Sequence, residues 1–143
     1  MTKSDTDYSG TPLWRKLGIA EGSKVRLLDA PAGFDATLTT IAPLPDGVTF
    51  LARTGRDLDV IVAFVLRVSQ LRRRFVPLAR AIAPAGRLWI AWPKKAARVG
   101  TDLDFATVQS TGLAAGLVDN KSAAITEVYQ GLQFVRRRED RSR

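Results

Sequence analysis

The chain has no cysteine and no histidine. Without cysteine there are no disulfides, no thiolate metal site and no cysteine nucleophile. Without histidine the commonest general base and the commonest metal ligand are missing together. Any catalysis by the chain itself therefore falls to carboxylates, lysine, tyrosine or hydroxyls. Long apolar stretches are also lacking. The longest, Val60 to Leu66, is far short of the roughly 20 residues that a membrane-spanning helix needs. Asp5 and Asp7 stand where a signal peptide is apolar, so a cytoplasmic protein with no membrane partner is expected. Acidic residues are few as well, 14 against 22 lysines and arginines, for a net charge of +8.

What is present is enough for one domain. A chain of 143 residues with 45% apolar content buries a real core but not two. The expected division is a loose polar segment over 1–10, a single domain over 11–138 and a basic tail over 139–143. Arg72-Arg73-Arg74 and Arg136-Arg137-Arg138 concentrate the positive charge, which favours phosphates or acidic partners and also serves plain solubility. No aromatic-studded RNA-binding strand or recognition-helix pattern accompanies it. The favoured partner is therefore a small anionic ligand or an acidic protein, ahead of nucleic acid.

Thr11-Pro12 reads as an N-cap followed by proline at the first helical position, opening a short helix that stops at Gly18. Leu13, Trp14 and Leu17 share its apolar face. Lys24 to Leu28 reads as a strand that ends in Asp29-Ala-Pro-Ala-Gly33. Phe34 to Ile41 is ambiguous between a short helix and irregular structure. A loop through Pro43, Pro45 and Asp46-Gly47 leads to a second strand, Val48 to Ala52. Val60 to Leu66 is β-branched and does not alternate, the pattern of a parallel strand buried on both faces.

Ser69 is the expected cap of the following helix, with Leu71, Phe75, Leu78 and Ile82 on its buried stripe and Pro77 as a kink or break. Pro84-Ala85-Gly86 is expected to end that helix and Arg87 to Trp92 to form the next strand. A helix capped by Thr101-Asp102 then runs to Gly116. Ala123 to Val128 and Leu132 to Arg137 flank Tyr129-Gln130-Gly131, which predicts a terminal antiparallel hairpin with the turn at those three residues. The sum is a three-layer Rossmann-like α/β fold, with a mostly parallel sheet of five to six strands and a C-terminal antiparallel hairpin.

From about Asp59 to Arg137 this order of parts resembles the later half of a class I methyltransferase. A buried strand, a helix, a proline-glycine turn, a tryptophan-rich strand, a helix ending in glycine and a closing hairpin follow one another in that family. A second resemblance, over nearly the whole chain, is to a family of short actinobacterial-type proteins known only as a domain of unknown function. It rests on Tyr8-Ser-Gly-Thr-Pro-Leu-Trp-Arg-Lys-Leu-Gly18, Leu88-Trp-Ile-Ala-Trp-Pro-Lys-Lys95 and Gly116-Leu-Val-Asp-Asn-Lys121. It implies the same fold and no activity.

The methyltransferase resemblance implies a site for S-adenosylmethionine beyond the first strand. Such a site asks for a glycine-rich turn there and an acid after the second strand for the ribose hydroxyls. The chain offers one glycine and Pro31, which lacks a donor, and the second strand runs into Arg53. No P-loop pattern is present. The expectation is a degenerate cofactor site with no cofactor and no metal. Ligands of open α/β sheets bind outside the carboxyl ends of the strands. Asp29, Pro31, Arg53, Trp92, Lys94, Lys95 and Lys121 all lie near predicted strand ends and form the candidate ligand site. Arg67 shares that position. Each also has a plainer reading: Asp29 as a turn residue, Trp92 as a plug at the rim, the lysines as solvated loop. No nucleophile, base and orienter can be assembled, so no catalytic residue is named. The leading reading is a non-catalytic Rossmann-like binding or regulatory module. The alternatives are a divergent S-adenosylmethionine-dependent methyltransferase and a basic nucleic-acid-associated protein.

Overall fold

Proline has a φ suited to a helix but no amide proton to give. Pro12 (φ −60°, ψ 145°) accordingly stands just before α1, Leu13–Lys16, in this computed structural model, which describes residues 10–141. Apart from Gly10, the expected loose N-terminal segment lies outside the described residues, as do the last two positions of the tail. The helix begins one residue later than expected, and Thr11 makes no capping bond to it. Gly18 follows in the left-handed region (φ 90°), where a β-carbon would run into the Arg87 side chain, so glycine there serves both the backbone and the packing.

β1 covers Lys24–Leu28, as the sequence predicts. The ambiguous segment holds a short helix, α2, Phe34–Leu38. The second strand shrinks to Thr49–Phe50 (β2), because it lies at the sheet edge and pairs only with β1. β3, Leu58–Phe64, takes the centre. The long helix α3, Val68–Ala81, passes through Pro77 unbroken. Pro77 is on the solvent side of the helix, where water can bond the carbonyl that the missing N–H leaves free.

Ser69 does not cap α3. The first amide of the helix, Val68 N–H, donates instead to the Asp102 carboxylate at 2.8 Å, from a loop 34 residues away. We expect Asp102→Ala to cost about 1 kcal/mol in a urea melt. Ser69→Ala should leave the midpoint where it is. An unchanged midpoint for Asp102→Ala would mean that water caps the helix as well as the side chain does.

The next strand, β4, starts at Ile82 and runs to Pro93, so Pro84-Ala85-Gly86 does not terminate the helix. Ile82 is already extended (φ −79°, ψ 146°) and ends α3 at Ala81, and Ala83, which precedes a proline, is biased to the same kind of backbone. The extra residues form a bulge: Leu58 pairs with Ile82, but Val60 pairs with Arg87. Gly86 sits in its crook, where a β-carbon would be 2.6 Å from the Leu58 carbonyl oxygen.

α4 spans Phe105–Ala114 and is capped by Asp104, whose carboxylate accepts from Thr107 N–H at 2.8 Å. Hydrogen bonds from Thr107, side chain first and backbone second, hold the Asp104 carboxyl below its ordinary value. Asp102 thus caps α3 where the sequence suggested α4, while the Thr101 hydroxyl donates to the Leu66 carbonyl at 2.7 Å.

β5, Leu117–Ala124, and β6, Tyr129–Arg136, close the chain as the expected hairpin, with its turn displaced. Thr126 makes the turn: its hydroxyl oxygen accepts from Val128 N–H and Tyr129 N–H at 3.1 and 3.0 Å. Gly131 is inside β6, opposite Ala91, and is glycine because a β-carbon would press on Ile125 at 2.9 Å and Trp89 at 3.1 Å. Asp119-Asn120-Lys121 lies within β5 at a bulge and is not a turn.

The six strands are ordered β2-β1-β3-β4-β6-β5, parallel through β4 and antiparallel at β6. Each central strand supplies both layers. Val60, Val62, Phe64, Trp89 and Ala91 pack under α1 and α2 with Leu17, Phe34 and Leu38. Ile61, Ala63, Leu88, Ile90 and Trp92 pack under α3 and α4 with Leu71, Phe75 and Val108. Burial on both faces is why Val60 to Leu66 lacks alternation. Among the described residues no helix is long and apolar enough to cross a membrane.

Candidate functional site

The carboxyl ends of β2, β1, β3 and β4 all point to one edge of the sheet, because these strands are parallel. The chain leaves β1 for β2 on one side and reaches β3 on the other, so the gap beyond β1 and β3 is the topological switch point. Along this rim the residues that follow the strands are Arg53 after β2, Asp29 after β1, Arg67 after β3 and Lys94 and Lys95 after β4. Neighbouring strands lie about 4.8 Å apart, so the row from β2 to β4 spans roughly 14 Å. One carboxylate stands in a line of cations.

Asp29 has left-handed backbone (φ 58°), a conformation that aspartate tolerates better than most side chains. Its carboxylate accepts from the Arg74 guanidinium at 2.6 Å, across 45 residues of sequence. This is the one ion pair among the described residues, and with Asp29's side chain half exposed it is worth no more than about 1 kcal/mol. A ligand can therefore compete for Asp29 at little cost. Nothing in the sequence pointed to Arg74, since no local pattern links it to β1.

Pro31 is half-buried, and its carbonyl accepts from Phe34 N–H at 3.1 Å as the chain turns into α2. Gly33 is left-handed (φ 83°) with open space where a β-carbon would be. Beneath this turn Phe34 meets Phe64 edge-on at 5.0 Å, and Phe64 meets Tyr129 edge-on at 5.1 Å. The three rings floor the switch point with a rigid apolar surface.

Arg53 is exposed at the far edge. Lys94 donates its backbone N–H to the Val128 carbonyl at 2.8 Å, and its side chain borders a groove of about 300 Å³ shared with Phe105 and Gln130. Trp92 is 2% exposed and belongs to the α3/α4 core, reaching only the floor of that groove. Lys95 is exposed and opens a single 3₁₀ turn, Lys95–Ala97.

Lys121 does not sit at a strand end. It lies in mid-β5 opposite Gln133, which itself faces Trp89 in mid-β4. Its ammonium donates to the Lys16 carbonyl at 2.9 Å and so fastens α1 to the sheet. Burial lowers its pKa, and Arg87 and Lys16 nearby lower it further. Asn120 works beside it, its side-chain oxygen accepting from the buried Gln133 amide at 2.8 Å. Asp119-Asn120-Lys121 reads locally as the turn into the hairpin; the pairing that makes it a strand is non-local.

No group of three or more potential metal ligands gathers among the described residues. No family model matches the chain, and no curated protein sequence matches it. Solved structures do. The fibrillarin pre-rRNA processing protein of Methanococcus jannaschii is similar at 16% identity and a TM-score of 0.58, over 82% of this chain and 67% of that one. The magnesium protoporphyrin IX methyltransferase of Synechocystis PCC 6803 with bound SAH is similar at 10% identity and a TM-score of 0.60, over 94% and 82%. A TehB-like SAM-dependent methyltransferase of Corynebacterium glutamicum is similar at 12% identity and a TM-score of 0.53, over 87% and 85%. At these identities the likeness establishes the architecture, a Rossmann-like methyltransferase fold.

Proposed function

We propose that this chain is a divergent S-adenosylmethionine-dependent methyltransferase acting in the cytoplasm. The observation that carries the reading is the overall fold, a mostly parallel six-stranded sheet with an antiparallel hairpin, which is similar to solved methyltransferases at TM-scores of 0.60 and 0.53. The turn after β1 fits the amino-acid end of the cofactor. Asp29 is the only carboxylate within three residues of a parallel strand's carboxyl end, and Gly33 leaves open space beside it. The ribose has no acid after β2, where Arg53 stands, and must be held otherwise. Bound there, the cofactor would supply an electrophilic methyl group. Transfer to an incoming nucleophile asks the protein for alignment rather than for a nucleophile of its own, so the lack of histidine and cysteine weighs little. Asp29 would hold the ammonium, and Phe64, under the turn, would keep water from the floor.

A second reading is favoured by one observation. Asp29 is already paired with Arg74, and the other charged residues that directly follow the parallel strands, Arg53, Arg67, Lys94 and Lys95, are cations. A non-catalytic module would use Arg53, Arg67, Lys94 and Lys95 to meet a small anion or an acidic protein. Calorimetric titration with S-adenosylmethionine and S-adenosylhomocysteine decides between the two. Saturable micromolar binding, weakened about tenfold by Asp29→Asn, is the expected result, the size reflecting a lost charge-assisted hydrogen bond. Absence of binding would remove the methyltransferase reading and leave the module.

A further inference from the structure

At the amino ends of the strands, away from the rim just described, a groove of about 640 Å³ opens between α3, the end of α4 and the end of β6. Arg56 reaches it from the loop before β3, Arg80 from α3 and Arg136 from β6. A second groove of about 420 Å³ continues it along α3 and α4; the two share Val76 and Ala115, and Arg72 borders the far end. On α3 the spacing of Arg72, Val76 and Arg80 is four and four, which stacks them on one exposed helix face. Two arginine runs separated by more than sixty positions in the sequence are thereby brought to one surface.

The state of these arginines is informative. Arg136 is committed, its guanidinium donating to the Ile82 carbonyl at 2.6 Å. The side chains of Arg56, Arg72 and Arg80 have no hydrogen-bond or ion-pair partner among the described residues. Asp57 and Asp140 also border the groove, yet neither lies within salt-bridge distance of an arginine. Cations held at intervals along a trough, unneutralised by the protein, suit a ligand with phosphates at intervals. Among the described residues the only aromatic side chain bordering either groove is Phe75, which is 1% exposed and cannot stack on a base. The groove would therefore follow a backbone and read no sequence.

We propose that the α3–α4 groove binds the phosphodiester backbone of a nucleic acid, through Arg56, Arg72 and Arg80 with Arg136 at its end. This does not depend on the methyltransferase reading, since none of these arginines belongs to the rim site. The test is fluorescence anisotropy of the full chain with labelled single-stranded RNA, single-stranded DNA and duplex DNA, between about 50 and 200 mM salt. Four contacts predict a slope of log K against log salt of about −3 for single strands. Arg72→Ala with Arg80→Ala should flatten that slope by about 1.4 and weaken binding at least tenfold at low salt, with an unchanged melting midpoint. Arg15→Ala with Lys24→Ala removes the same charge from exposed positions on α1 and β1, and should leave the slope near its original value. Preference for one of the three oligonucleotides identifies the polymer. Equal losses in the two double variants would reduce the effect to net charge and overturn the proposal. So would binding of inorganic phosphate without binding of any oligonucleotide, which would assign the groove to a small anion.

Discussion

Trp89→Ala is expected to lower stability by about 4 kcal/mol or more, a large share of the roughly 5–15 kcal/mol that holds a domain folded. Trp89 is fully buried between β3 and β6, under α1. Its indole N–H donates to the Leu17 carbonyl at 3.0 Å, at the end of α1. Alanine removes the ring, opens a cavity and leaves that carbonyl without its donor, so two costs fall on one substitution. Trp89→Phe separates them. It keeps most of the ring volume and loses the bond, and should cost about 2 kcal/mol. Urea melts of both variants measure the difference. A loss under about 1.5 kcal/mol for alanine would mean that α1 can settle into the space, and that the helix is less firmly tied to the sheet than the bond implies.

Gly112→Ala sets two effects against each other. In a helix interior the change gains about 1 kcal/mol from propensity alone. Here a β-carbon would overlap the Phe134 ring, which is fully buried and meets Phe75 edge-on at 5.2 Å. Neither ring has room to yield, since both lie in the α3/α4 core. Overpacking of this kind costs about 1–3 kcal/mol and sometimes more, and a β-carbon that overlaps a ring belongs at the upper end. The expected net result is a loss of about 2 kcal/mol, with Gly112→Val lower still. A stabilised alanine variant would show that α4 can shift outward on the sheet.

Burial of Trp89 is legible in its apolar strand, whereas the role of Gly112 is one that sequence patterns pass over. Glycine in a sequence reads as a turn or a helix end, and Gly18 and Gly116 do take left-handed backbone at helix ends. Gly86, Gly112 and Gly131 are glycine for a different reason, the close approach of a neighbouring carbonyl, ring or side chain. The displaced hairpin turn follows directly. Gly131 drew the turn toward itself, while Thr126, with only its hydroxyl to mark it, makes it. The early start of β4 has a similar origin. Pro84 and Gly86 are breaker residues, but in a bulge they bend a strand without ending it.

Capping shows the same limit. Asp102 and Asp104 were recognisable as capping residues from their place before an apolar stretch. Which helix each would cap was not, because Asp102 serves a helix that starts 34 residues earlier. Among the candidate ligand residues, Asp29, Arg53, Lys94 and Lys95 follow strands whose carboxyl ends share one rim, as their position in the sequence suggested. Lys121 moved to mid-strand once the register of β5 against β6 was known.

By itself the sequence determined the layer architecture and the buried centre of the sheet. A continuous β-branched run, helical spacing of Leu71, Phe75 and Leu78, and terminal strands are local signals of periodicity and burial, and they persist in any context. It also determined what chemistry is excluded, since missing residue types stay missing. Only the tertiary structure decided which charges come together: Asp29 with Arg74 at the rim, Arg80 with Arg136 and Arg56 at the amino ends of the strands, and Arg72 along the groove that continues from them. Those juxtapositions depend on strand order and register, which are set by the summed packing of two cores and leave no trace in the spacing of the residues concerned.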